Sequence, residues 1–101
     1  MPPTTPQILA FLARLRSAVA EGRVEIRAYA VEGLRDLGWS ALDLRLQLVE
    51  LRAEDLLRTE RSTAPEGGLI WVFTPELWDG GYLWIRVIER AGMVIISFHK
   101  G

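Results

Sequence analysis

Two runs of alternating apolar residues near the carboxyl end, residues 82–90 and 93–99, are separated only by Ala91 and Gly92. A two-residue loop of that kind closes an antiparallel hairpin and fixes which residues face one another. With Arg90 opposite Met93, counting back sets Arg86 against Ser97 and Trp84 against His99. Side chains alternate along a strand, so Leu83, Ile85, Val87, Val94, Ile96 and Phe98 share one wholly apolar face. That face must be covered by another layer of the same chain.

The upstream sequence supplies the layer. Thr5 and Pro6 have the pattern of an N-cap with proline at the first helical position, and Ile8, Leu9, Phe11, Leu12, Leu15 and Val19 recur at helical spacing before Gly22. A helix is predicted over residues 6–20. Residues 23–26 alternate and predict a very short strand or an extended linker. Ala30, Val31, Leu34 and Leu37 predict a second helix over 27–37 that Gly38 ends, with Gly33 inside it costing ~1 kcal/mol relative to Ala. Ser40 and Asp43 resemble a capping box for a third helix to about residue 51. Apart from Asp43, Gln47 and Glu50 that helix is mostly Leu and Val, which predicts burial over a wide arc.

Beyond Arg52, short runs between turn residues predict four strands: 55–62, 69–73 covered on both faces, and the two arms of the hairpin, with a turn over 64–68. Trp39 and Trp71 are assigned to the core. The expected fold is α+β, with amino-terminal helices packed on one face of a small antiparallel sheet. Residues 1–5 form a flexible tail and 6–101 a single domain, in keeping with the size of one folded unit.

Composition removes several chemistries. The chain lacks cysteine, which excludes disulfides, thiolate metal sites and a cysteine nucleophile. One histidine and dispersed carboxylates give no metal-binding set, and no cofactor is expected. Ser97 and His99 lie two apart on one strand with no acidic residue spaced to orient the imidazole, so a serine relay is unsupported. Gly67-Gly68 and Gly80-Gly81 match no phosphate loop. The formal net charge of −1 provides no long-range attraction to a polyanion, so a nucleic-acid site must be a local patch. No apolar run approaches the ~20 residues of a membrane span. The amino terminus lacks the basic head and apolar run of an export signal, and a soluble cytoplasmic protein is expected.

A local patch is available on the second face of the hairpin, where Tyr82, Trp84 and Arg86 lie beside Ser97 and His99. Aromatic rings and guanidinium on an open sheet face are the ingredients of single-stranded nucleic-acid binding.

The order helix, short strand, two helices and terminal sheet, with Tyr82-Leu83-Trp84-Ile85 and Val94-Ile95-Ile96-Ser97-Phe98-His99, resembles the MqsR family of bacterial type II toxins. The likeness runs from the first helix to His99. Its more specific pieces are Asp55-Leu56-Leu57-Arg58, Ile70-Trp71, the Tyr-Leu-x-Ile strand and Ser-Phe followed by a basic residue. Val72 stands where some members carry a polar side chain, and Trp84 where some carry lysine. The resemblance implies a RelE-like fold and a toxin that cleaves single-stranded mRNA without a metal, arrests growth and is neutralised by a cognate antitoxin protein. Arg58 aligns with a family lysine, Tyr82 with its tyrosine and His99 with the basic residue after Ser-Phe.

Metal-free RNA cleavage needs a base for the 2′-hydroxyl proton, a cation beside the phosphorane and an acid for the leaving 5′-oxygen. Imidazole can take either proton-transfer role, which makes His99 the candidate acid or base. Arg58 and Arg86 are candidate phosphate clamps, with an ion pair to Glu60 or Asp55 as the structural alternative for Arg58. Tyr82 is assigned to phosphate positioning or proton transfer, Trp84 to base stacking, and Arg61 and Lys100 to a basic rim. Arg58, Tyr82 and His99 form the expected catalytic set; Arg61, Trp84, Arg86 and Lys100 form the RNA-binding set. The competing readings are a winged-helix DNA-binding domain, with residues 31–51 as its helix-turn-helix, and a catalytically silent binding module of the same fold.

Overall fold

Reciprocal side-chain caps start two of the three helices. α1 (Thr5–Ala20) is capped by Thr4, whose hydroxyl accepts from the Gln7 amide while the Gln7 side chain accepts from the Thr4 amide. Two amides that a helix leaves without partners are thereby satisfied, and the cap falls one residue earlier than the Thr5-Pro6 pair predicts. α3 (Ala41–Val49) begins with the expected exchange between Ser40 and Asp43. Between them lie β1 (Val24–Ile26) and α2 (Ala28–Leu37), which ends at Gly38 in the left-handed conformation. A 3₁₀ turn at Ala53–Asp55 leads into β2 (Leu56–Arg61), β3 (Leu69–Phe73), β4 (Leu83–Arg90) and β5 (Met93–Lys100). This computed structural model describes residues 2–63 and 67–100, and of Tyr29 only the backbone; most of the turn expected over 64–68 lies outside them.

The strands form one sheet in the order β1-β5-β4-β3-β2. Its register in the hairpin follows the two-residue loop, with Arg90 opposite Met93, Arg86 opposite Ser97 and Trp84 opposite His99. Ala91 and Gly92 both take positive φ, +49° and +80°, as a primed hairpin turn requires. The sheet is mixed and five-stranded, which corrects the four-stranded antiparallel expectation. β1 runs parallel to β5, with the Arg27 amide donating to Ile96 and the Val94 amide to Arg23. Three residues are too few to reveal a pairing partner by periodicity. Once α1 covers the sheet, however, β5 offers an open edge whose amides and carbonyls need one.

The apolar hairpin face is buried as expected, and α1 lays Phe11, Leu12, Leu15 and Ala18 into it. Phe11 stacks on Trp71 with ring centroids 4.2 Å apart. Trp39 packs against this core from a partly buried position. α2 lies on β5 so closely that a Cβ on Gly33 would stand 3.2 Å from the Phe98 ring. α3 buries only a narrow stripe, Leu44 and Leu48, and leaves Leu42 and Leu46 at least half exposed. Its packing partner is α1 rather than a surrounding core, so the wide buried arc is not formed. Among the described residues no helix is long and apolar enough to cross a membrane.

Candidate functional site

The helices occupy the face that carries Ile85 and Phe98, and no helix among the described residues packs on the other side of the sheet. Register assembles that side in rows. Arg58, Val72, Arg86 and Ser97 stand in one row across β2, β3, β4 and β5; Glu60, Ile70, Ile88 and Ile95 stand in the next. Trp84 and His99 begin a third row at the opposite end. Val72 is only 1% exposed despite lying on this side. Its neighbours in the row are two arginines, whose aliphatic stems shield it while their charged ends reach water. From Ile70 to Phe73, β3 is therefore buried on both faces, as expected, whereas Leu69 is about half exposed.

Glu60 ties the cations together. Its Oε1 accepts from Arg58 Nε at 2.9 Å and its Oε2 from Arg86 Nη2 at 3.0 Å. One carboxylate thus spans two guanidiniums from different strands. The Arg58 guanidinium also lies 5.8 Å from the centroid of the Trp84 ring, within cation–π range. On the β5 side the His99 ring lies 6.0 Å from Trp84 and within 8° of parallel. His99 is exposed, and its Nδ1 is 3.4 Å from the Lys100 carbonyl oxygen.

A bulge shapes the end of this surface. The pairing of β2 with β3 shifts between Leu56 and Arg58, so Leu57 is an extra residue that swells the strand. Leu57, Thr74, Tyr82 and Trp84 then line a pocket of about 270 Å³, with Leu57 and Tyr82 each about half exposed. Tyr82 stands just before β4, in a lone bridge with Glu76, rather than inside the strand as expected. Its other side borders a cleft carrying Glu50, Glu54, Asp55 and Glu76 with only Arg52 to offset them.

The seven sequence-derived site residues therefore divide. Arg58, Trp84, Arg86 and His99 form one linked group on the uncovered face, and Tyr82 joins it through the pocket. Among the described residues no hydrogen bond or ring contact links Tyr82 to His99. Arg61 and Lys100 fall on the helix side by alternation, Arg61 opposite Leu69 and Lys100 opposite buried Leu83. Lys100 pairs there with Asp79 at 3.6 Å. The Gly81 amide, and secondarily Lys100, holds the Asp79 carboxyl below its ordinary range. Counting the same alternation from Arg58 and His99 separates both residues from the group without any coordinates. Sequence reasoning did not assign Glu60, Leu57 or Thr74 to the site. Glu60 was within reach, because it lies two places from Arg58 on one strand, whereas a bulge leaves no periodic trace.

Among the described residues no group of three or more histidines or carboxylates is placed to ligate a metal. Comparison with protein-family models and with curated proteins finds no match for the chain.

Proposed function

We propose that this protein is a metal-free endoribonuclease of RelE-like fold, acting on single-stranded mRNA as the toxin half of a type II toxin–antitoxin pair. The observation that supports the reading is the convergence of Arg58, Arg86, Trp84 and the lone imidazole of His99 on a sheet face that no helix among the described residues covers. Guanidiniums suit bidentate contact with phosphate oxygens, and an indole suits an unstacked base. His99 then takes or gives the proton of the transesterification, in which the 2′-oxygen bonds to phosphorus and the 5′-oxygen leaves protonated. Arg58 and Arg86 stabilise the charge that gathers on the phosphorane. Tyr82 positions the chain from the pocket side.

The antitoxin partner would cover the same face or block access to it. A DNA-recognition role for α3 has less behind it. That helix exposes Leu42, Asp43 and Leu46 beside Arg45, with Glu50 at its C-cap, a surface with little to offer a phosphate backbone. The test is incubation of the purified protein with single-stranded RNA in EDTA. Cleavage leaving 2′,3′-cyclic phosphate ends is expected, and intact RNA at high protein concentration would defeat the reading.

A further inference from the structure

The carboxylate of Glu60 occupies the space in which two arginines converge, and the apolar pocket beside Trp84 is open to solvent. Arg58 belongs to both places: its Nε reaches Glu60 at 2.9 Å and its guanidinium lies over the Trp84 ring. We infer that these two places form one nucleotide subsite, with a base in the pocket lined by Leu57, Thr74, Tyr82 and Trp84 and its phosphate displacing Glu60 from Arg58 and Arg86. The inference rests on the nuclease reading for its ligand class, a nucleotide unit of a single strand.

Three features of the surface carry it. A pocket of about 270 Å³ is smaller than the ~300–1,000 Å³ typical of sites for whole drug-sized ligands, and so suits a single planar ring. Its walls are two aromatic rings and an aliphatic side chain, with Thr74 as a polar contact for a base edge. The β2 bulge also fits a built feature, since bulges re-aim side chains beside functional sites. An apolar pocket set against paired guanidiniums is complementary to a nucleotide, which joins an apolar π face to an anion. A purely apolar ligand would leave the cations unused.

Glu60 acts in this arrangement as an internal stand-in for phosphate. It is 28% exposed, and its two pairs lie at the surface, where such bonds exchange readily with solvent and ligand. Holding both guanidiniums, it keeps them in position and at the same time lowers the local positive charge. A phosphodiester must therefore compete with it. The consequence is a site whose affinity for single strands is restrained by one of its own carboxylates.

The experiment measures binding of a fluorescent single-stranded RNA hexamer, methylated on every 2′-oxygen to prevent cleavage, and of the same backbone carrying abasic sites. Glu60→Gln is expected to tighten both by roughly 5-fold and to steepen the salt dependence by about one phosphate contact. Wild-type protein is expected to prefer the hexamer with bases by ~10-fold. Trp84→Ala should erase most of that preference, and Trp84→Leu, which retains an apolar side chain in the pocket wall, should do the same. Unchanged or weaker binding by Glu60→Gln, or equal affinity for the based and abasic strands, would overturn the subsite. Cleavage of unmodified RNA is scored separately. Tight, base-dependent binding without cleavage would sustain the subsite and remove the nuclease, whereas cleavage with an indifferent Glu60→Gln would do the reverse.

Discussion

The Trp84 indole and the His99 imidazole lie side by side across β4 and β5, 6.0 Å apart and within 8° of parallel. The indole restrains the direction of the imidazole, which among the described residues pairs with no carboxylate. An exposed ring held in this way can reach a phosphodiester lying along the sheet face. His99→Ala is therefore expected to lower RNA cleavage by at least ~10-fold at neutral pH, measured as initial rate on a single-stranded substrate. Tyr82→Phe should also slow the reaction, and more through KM than His99→Ala does, because Tyr82 borders the pocket and, among the described residues, no hydrogen bond or ring contact links it to the imidazole. Wild-type rates in both variants would sink the mechanism.

The turn that sets this register carries a conformational cost. Ala91 sits at φ +49°, a left-handed conformation that costs an L-residue with a Cβ about 1–2 kcal/mol. Asparagine tolerates that region and is favoured at the first position of such turns. Ala91→Asn should raise stability by ~0.5–1 kcal/mol, read as a higher urea midpoint at unchanged slope, with cleavage unaffected. A lower midpoint would mean that the turn is not of this type.

How far the sequence discloses the fold depends on how many residues specify each feature. The hairpin is set by sixteen paired positions and a two-residue loop, and its register is legible to the residue. The capping pairs of Thr4 with Gln7 and Ser40 with Asp43 are similarly local, although a neighbouring proline draws attention to Thr5. β1 is illegible as a partner of β5 because three residues hold no long-range information. The exposure of Leu42 and Leu46 is equally hidden, since composition cannot tell a helix packed on one neighbour from one packed on several. On the site side, the alternation that gathers Arg86 with His99 also removes Arg61 and Lys100. The bridging of Glu60 between β2 and β4 depends on a strand order that only the assembled sheet provides.

Gly33 illustrates a residue whose cost in one element is explained by another. Glycine inside α2 sacrifices ~1 kcal/mol of helix propensity. In return the helix approaches β5 until only 3.2 Å separates an ideal Cβ at this position from the Phe98 ring. Phe98 is itself buried, so a larger side chain at position 33 has to push the whole helix away. Gly33→Leu is expected to destabilise the fold by ~1–3 kcal/mol in urea denaturation, the usual cost of overpacking, despite leucine's better helix propensity. A stabilised variant would show that α2 does not seat on the sheet at this distance.

The Asp79 carboxyl provides a pH test of the loop before β4. In the folded protein it accepts from the Gly81 amide at 3.0 Å and lies 3.6 Å from Lys100 Nζ, and the amide bond, then Lys100, holds its pKa below the ordinary carboxylate value. A folded-state pKa that is depressed contributes stability above the unfolded value of ~3.9, and that contribution disappears as pH falls through the folded value. Asparagine keeps an acceptor for Gly81 but has no charge to lose. Asp79→Asn should therefore melt at a lower temperature than wild type at pH 6, with the gap narrowing as the pH is lowered past ~3.9. The effect should be small, since the group is exposed and the ion pair is screened. If the two melting curves stay separated by a constant interval down to pH 2, the difference arises from packing of the loop and not from the charge on Asp79.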